Sequence, residues 1–242
     1  MIKFKNIYII GAGKIAQKCQ EIAKNFFQQK VVFVKYTNKN DINAFFNLVE
    51  KSLIISVNNI FIFKDQHIAK NTIINYHNSL LPKYKGINAH IWAIWNNDSV
   101  TGITWHQIDN GIDTGDILLQ KKIQIENDFT SLKLLKLQHT IASQSLKECL
   151  ENLLNKKNIP QKSTGSYYKS TELPNKGYLN LSWNKEKISR FLRAMDCGYF
   201  NGVQKPKLKI LGEEKEILFY EINELDLILN LSNNTILKIT KE

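Results

Sequence analysis

The strongest limit on the fold is an alternation of short apolar runs with amphipathic stretches, repeated from Asn6 to Asn75. Asn6-Ile7-Tyr8-Ile9-Ile10 reads as a buried strand and ends in Gly11-Ala12-Gly13. Ile15, Cys19, Ile22 and Ala23 then recur three and four residues apart, the spacing of one helical face. Val31-Val32-Phe33-Val34, Leu53-Ile54-Ile55-Ser56-Val57 and Thr72-Ile73-Ile74-Asn75 read as further strands, with a helix over Asp41 to Glu50. Strands alternating with helices predict a Rossmann-like α/β domain, a parallel sheet with helices on both faces. Sheets of this kind bind ligands at the carboxyl ends of their strands.

The pattern changes further along. A helix is expected from about Thr130 to Asn155, with Leu134, Leu137, Ile141, Leu146, Leu150 and Leu153 on one face and Asp128 or Thr130 as its cap. Lys156 to Gly165 is polar, contains Pro160 and Gly165, and reads as a linker. Beyond it come a helix over Asn184 to Met195 and short strands over Leu208–Leu211, Glu216–Ile222, Leu225–Leu231 and Thr235–Thr240. Turns at Gly212-Glu213-Glu214 and Ser232-Asn233-Asn234 separate them, which predicts a small C-terminal antiparallel β appendage. The expected division is a first domain over 1–162, then a linker helix and small β domain over 163–242.

Composition removes several classes of function. The net charge is +11, yet of 33 Lys and Arg residues only Arg190 and Arg193 are arginine, and the lysines are spread along the chain. Nucleic-acid surfaces cluster their charge and use the bidentate arginine fork, so no nucleic-acid partner is expected. A mild preference for anionic ligands survives. No apolar run approaches the roughly 18–20 residues of a membrane span, and the N-terminus has no signal-peptide pattern, so no membrane partner is expected. Cys19, Cys149 and Cys197 show no CxxC spacing, against a disulfide framework or a metal cluster and in favour of a reducing cytoplasm.

Gly11-Ala12-Gly13-Lys14-Ile15-Ala16 fits the dinucleotide fingerprint, which also wants a carboxylate near the end of the second strand. That region is Lys35-Tyr36-Thr37-Asn38-Lys39, with none. A tight turn that needs glycine for backbone reasons is the preferred reading, and no NAD is expected.

A second constellation carries more chemistry. Ile74-Asn75-Tyr76-His77-Asn78-Ser79-Leu80-Leu81-Pro82-Lys83-Tyr84-Lys85-Gly86 is followed downstream by Gly111-Ile112-Asp113-Thr114-Gly115-Asp116-Ile117-Leu118. Asn75 and His77 alternate along a strand and so share one side of it. Asp113 lies in a glycine-flanked loop able to fold back towards them. A lone histidine after a strand is usually a structural hydrogen-bonder; with these neighbours it reads as catalytic.

These two stretches resemble the folate-dependent formyltransferases, whose pattern is N-x-H-x-S-L-L-P-x-Y-x-G followed by a D-x-G-D-I-like loop. Asn88-Ala89-His90-Ile91-Trp92-Ala93-Ile94 and Gly102-Ile103-Thr104-Trp105-His106 are most similar to the sugar-modifying branches. Gly177 to Trp183 and Ile188 to Asp196 resemble the linker and helix that follow the catalytic domain there. The resemblance covers residues 50–200 and is most specific over 74–118.

The resemblance implies formyl transfer from 10-formyltetrahydrofolate to an amine, with no metal. Asn75, His77 and Asp113 are then the catalytic residues. His77 as imidazolium and the Asn75 amide stabilise the developing oxyanion. Asp113 favours the charged imidazole and takes the amine proton, and His77 protonates the leaving folate nitrogen. By the same resemblance Ser79, Leu80, Leu81 and Pro82, with Asp109, Asn110, Gly111 and Ile112, line the folate site. Phe61, Ile62 and Phe63 border the pterin, although core packing explains the two phenylalanines equally well. Asp116 reads as a loop-capping residue and His106 as a supporting one.

Tyr84, Lys85, Asn88, Trp105, Tyr199 and Phe200 are candidate acceptor contacts, since aromatics stack on bases and lysines meet phosphates. The short C-terminal region disfavours a tRNA acceptor. The expected substrate is a nucleotide-linked amino sugar, dTDP-linked with a 4-amino or 3-amino group, in surface-polysaccharide synthesis by a homodimer. Another small amine such as an amino acid, an NAD(P)-dependent reductase, and a non-catalytic nucleotide-sugar binder stand as alternatives.

Overall fold

The computed structural model describes residues 4–162, 164–198, 202–223 and 226–240. The chain divides into two compact units. The first comprises Met1–Gly86, Thr101–Ile123 and Leu137–Tyr167; the second comprises Ile87–Val100, Gln124–Lys136 and Tyr168–Glu242.

In the first unit β1 (Ile7–Gly11), α1 (Gly13–Phe27), β2 (Val31–Val34), α2 (Lys39–Leu48), β3 (Leu53–Val57), α3 (Asp65–Lys70) and β4 (Thr72–His77) follow the expected alternation. The two-residue strand β5 (Lys85–Gly86) comes next. After α4 (Ala89–Trp95) the chain continues into β6 (Val100–Gln107), β7 (Ile117–Gln124), α5 (Ser131–Leu154) and the two-residue strand β8 (Tyr167–Tyr168). The sheet order is β2-β1-β3-β4-β6-β7. β1, β2, β3 and β4 run parallel, while β6 lies antiparallel to β4, so the sheet is mixed rather than purely parallel.

Every residue of β3 is buried, which is why Leu53–Val57 is apolar at every position but Ser56 rather than alternating. On one face Ile10, Val34, Ile54 and Ile73 form a core with Ile42 and Phe46 of α2. Asn38 starts that helix earlier than the apolar pattern suggested. Its side chain accepts the Asp41 N–H while the Asp41 carboxylate accepts the Asn38 N–H, a capping box. Residues of opposite parity turn to the other face, where the Trp105 indole donates to the Ala142 carbonyl of α5 at 3.2 Å. Thr130 caps α5, its hydroxyl accepting the Lys133 N–H at 3.3 Å.

The Gly11 turn has a packing reason. A Cβ on Gly11 would lie 1.8 Å from the Val57 carbonyl oxygen, so only glycine lets β1 end against β3.

In the second unit α6 (Lys185–Met195) is capped by Asn184, whose side chain accepts the Lys187 N–H. A 3-10 turn (Pro174–Gly177) precedes it. β9 (Lys207–Ile210), β10 (Glu213–Ile222), β11 (Asp226–Leu231) and β12 (Ile236–Thr240) form an antiparallel meander in the order β12-β11-β10-β9. The first hairpin turns on Leu211 and Gly212 rather than on Gly212-Glu213-Glu214. Both φ angles there are positive, 50° and 85°, and Ile210 pairs with Glu213 across a two-residue loop.

Residues 156–162 and 164–165, read as a linker, belong to the first unit. Ile159 bridges to Ile117 through two backbone hydrogen bonds of 2.8 Å. Among the described residues no helix is long and apolar enough to cross a membrane.

Candidate active site

The register of two strands builds the site. Asn75 pairs with His106 and His77 with Thr104 across the antiparallel β4–β6 ladder. Residues opposite one another share a face, so Asn75, His77, Thr104 and His106 turn to one side and Tyr76 and Trp105 to the other. The Asn75 amide nitrogen lies 3.2 Å from His106 Nε2. Thr104 donates its hydroxyl to the Ser79 carbonyl at 2.7 Å and accepts the Leu81 N–H at 3.1 Å, tying the segment after β4 to β6.

Asp113 arrives from the loop between β6 and β7. The Asp109 carboxylate accepts the Gly111 N–H and the Thr114 hydroxyl, shaping that loop from within. Gly115 lets it fold back, because a Cβ there would sit 2.0 Å from the Gln107 carbonyl oxygen. Asp113 itself adopts a left-handed conformation with φ 52°. One carboxylate oxygen accepts the Gly86 N–H at 2.8 Å and lies 3.5 Å from His77 Nδ1. The other is 3.4 Å from His106 Nε2. His77 and His106 are buried, and Asp113 is 11% exposed.

Nitrogen assignments follow from the carbonyls. His77 Nε2 is 2.7 Å from the Tyr84 carbonyl, which only accepts, so Nε2 carries hydrogen and Nδ1 is the nitrogen facing Asp113. His106 Nδ1 likewise donates to the Gln107 carbonyl at 2.8 Å, leaving Nε2 towards Asn75 and Asp113.

Burial holds the His77 pKa below the usual histidine value; the Asp113 charge pushes it back up, and His106 pushes it down again. Asp113 therefore favours the charged imidazole as expected, and desolvation, the larger effect, sets the net downward direction. Burial raises the Asp113 pKa, but His77, the hydrogen bond and charge of His106, and the Gly86 N–H outweigh it and hold the carboxyl well below the carboxylate range. The two shifts pull the same way: each group favours the charged form of the other, while burial opposes both charges.

The other expected contacts divide sharply. Ile62 is 67% exposed, whereas Phe61 and Phe63 pack on Phe46 of α2, with ring centroids 6.0 and 5.8 Å away. Asp109, Asn110, Gly111 and Ile112 are exposed. Ser79 is buried and donates to the Lys83 carbonyl, and Leu81 is buried with its backbone bonded to Thr104 and Gln120. Leu80 and Pro82 are half-buried. Asp116 accepts from the Asn158 side chain, far along the chain, instead of capping its own loop.

Among the acceptor contacts, Trp105 is corrected to a core residue: its indole is fully buried and cannot stack on a base. Tyr84 and Lys85 are buried as well, and Tyr84 serves the site through its carbonyl instead of its ring. Asn88, in the second unit, is half-buried, and its carbonyl accepts the Ile91 and Trp92 N–H groups of α4. Tyr199 and Phe200 lie outside the described residues. Among the described residues no cluster of three His, Cys, Asp or Glu side chains is disposed to hold a metal ion.

The Formyl transferase family model matches residues 11–150, the stretch that contains Asn75, His77, His106 and Asp113. The chain belongs to the formyl transferase family. It is 31% identical over 214 residues to GDP-perosamine N-formyltransferase of Brucella melitensis, covering 88% of this chain and 73% of that one. It is 34% identical over 140 residues to methionyl-tRNA formyltransferase of Synechococcus sp., but spans only 44% of that protein's length. The N-formyltransferase of Helicobacter canadensis, solved with folinic acid and dTDP-3-aminofucose, superposes with a TM-score of 0.70 at 22% identity, over 99% of this chain and all of that one.

For this formyl transferase, sequence reasoning under-read His106, which touches both Asn75 and Asp113. The strand also carries Thr101, Thr104 and Gln107, so one more polar residue in it gave little signal. The Tyr84 carbonyl and the Gly86 N–H carried none, because backbone groups have no residue signature.

Proposed function

We propose that the chain transfers the formyl group of 10-formyltetrahydrofolate to the amine of a nucleotide-linked amino sugar. The observation that carries it is the convergence of Asn75, His77, His106 and Asp113 at the end of β4, with His77 Nδ1 3.5 Å from the Asp113 carboxylate. The N-formyltransferase from Brucella, matched over most of both chains, supports the class of acceptor. The ligands of the Helicobacter protein support the folate donor and the nucleotide-linked sugar.

In this reading the amine nitrogen attacks the formyl carbon and the carbonyl electron pair moves onto oxygen. The Asn75 amide hydrogen-bonds that oxyanion. His77 Nδ1 takes the proton from the attacking nitrogen, and the imidazolium so formed is stabilised by Asp113. When the intermediate collapses, the bond to the folate nitrogen breaks and His77 returns the proton to that leaving nitrogen. A histidine that is neutral at rest performs both transfers, so Asp113 acts as its counter-charge rather than as the base.

The finer reading is a dTDP-linked sugar with a 4-amino or 3-amino group, used by a cytoplasmic homodimer in surface-polysaccharide synthesis. Purified protein, 10-formyltetrahydrofolate and a panel of dTDP- and GDP-linked amino sugars test it by mass spectrometry. A formyl mass gain on a dTDP sugar supports the full reading, and a gain on GDP sugars alone replaces the base. An unmodified panel together with formylation of an amino acid overturns the proposal.

A further inference from the structure

Residues 159–162 and 164–166 meet the site from behind. Gln161 donates both amide hydrogens to backbone carbonyls, to Asp113 at 3.0 Å and to Gly115 at 2.7 Å. Turning that amide over would aim an oxygen at two carbonyls, so its orientation is fixed. Gly165 lies so close to the loop after β4 that a Cβ there would be 1.8 Å from the Pro82 carbonyl oxygen. Beside it the Ser166 hydroxyl accepts the Tyr84 N–H at 2.8 Å, and the Ser166 carbonyl accepts the Lys85 N–H at 2.8 Å. Tyr84 in turn offers its carbonyl to His77 Nε2.

The backbone contacts fall where the chain most needs them. Asp113 and Tyr84 both sit in the left-handed region, with φ 52° and 59°, although neither is glycine. Such residues keep that conformation only where their surroundings hold them. Gln161 holds the carbonyl of one, and Ser166 holds the N–H of the other.

We infer that this segment is a clamp on the reacting pair, with Gln161 positioning Asp113 and Ser166 positioning His77 through the Tyr84 carbonyl. The activity test rests on the proposed formyl transfer; the geometry does not. Asp113 from the β6–β7 loop and His106 from β6 are the titratable groups acting on His77. The Tyr84 carbonyl and the Asp113 charge both favour the imidazolium, so loosening either moves the His77 titration to lower pH.

The test uses the full chain as Ser166→Ala, Ser166→Thr and Gln161→Leu. Its two readouts are NMR titration of the His77 ring and steady-state kinetics. Ser166→Ala and Gln161→Leu are expected to lower kcat about fivefold to thirtyfold, the effect of one displaced hydrogen bond, with KM for the folate held within about twofold. Both lower the pH of the His77 titration, and Ser166→Thr restores kcat and titration. Unchanged kcat and an unchanged titration in both variants overturn the clamp, as does a Thr variant that rescues neither. If the wild-type protein formylates no amine, the proposed function falls, and the His77 titration alone decides the clamp.

Discussion

Two strand ends of the same sheet look alike in sequence and do different things. β1 ends at Gly11, with only Ala12 before α1 begins at Gly13, and β4 ends in Asn75-Tyr76-His77 ahead of irregular chain. At the end of β1 the constraint lies in the backbone: Gly11 makes room for the Val57 carbonyl of the neighbouring strand. At the end of β4 it lies in side chains, with two histidines, an asparagine and an aspartate brought within 3.5 Å contacts. A motif of glycines can be satisfied by close packing alone. A cluster of buried titratable groups has no comparable packing purpose, because each costs desolvation.

Breaking the β4 end should produce the largest effect. His77→Ala removes the group that moves the proton, and kcat for formyl transfer is expected to fall by about 10³–10⁴, measured on protein that keeps its wild-type circular dichroism. A near-normal rate would remove His77 from the mechanism. Asn75→Ala should cost about 10²–10³ in kcat with a small change in KM, as expected for a donor that acts on the oxyanion. A loss confined to KM would reassign it to ground-state binding.

The β1 end should respond in stability instead. Gly11→Ala forces a Cβ into the Val57 carbonyl and is expected to lower unfolding free energy by about 1–3 kcal/mol in denaturant titration, while kcat per folded molecule stays within about twofold. A selective loss of kcat without a loss of stability would return the glycine turn to the functional map.

The smallest effect sharpens the comparison through pH. Because His77 titrates below the usual histidine value of about 6.5, kcat/KM should be flat at neutral pH and fall only as pH drops below that value. The sign for stability is the same. The unfolded chain binds a proton at about 6.5 and the folded His77 resists it, so stability declines as pH falls below about 6.5. Asp113 adds to the decline at lower pH, since its folded pKa is depressed and its contribution fades as it protonates. A rate that rises on acidification would show that imidazolium, not imidazole, is the resting catalyst.

Much of the site was legible because its signal is local. Asn75 and His77 lie two apart on a strand, and period-two geometry alone puts them on one side. Asp113 was legible only through the glycines around it, and its ionised state could not be read at all, since that depends on burial and on His106 and Gly86 nearby. Trp105 was misassigned for the same reason: exposure belongs to the assembled sheet, and its strand turns the indole inward. The segment from Lys156 was read as a linker from its polarity and its Pro and Gly. Its Gln161 spends that polarity on backbone carbonyls far away in sequence.

The sequence by itself determined the alternating α/β plan, the start of α5, the antiparallel appendage, and the placing of Asn75 and His77 on one side of β4. These depend on spacing, propensity and neighbours within a few residues. The tertiary structure alone decided that β6 enters antiparallel, so that His106 faces Asn75. It also decided that burial lowers the His77 pKa, and that Gln161 and Ser166 reach the backbone beneath the reacting pair. Those outcomes depend on desolvation and on hydrogen bonds between residues tens of positions apart, which no local pattern encodes.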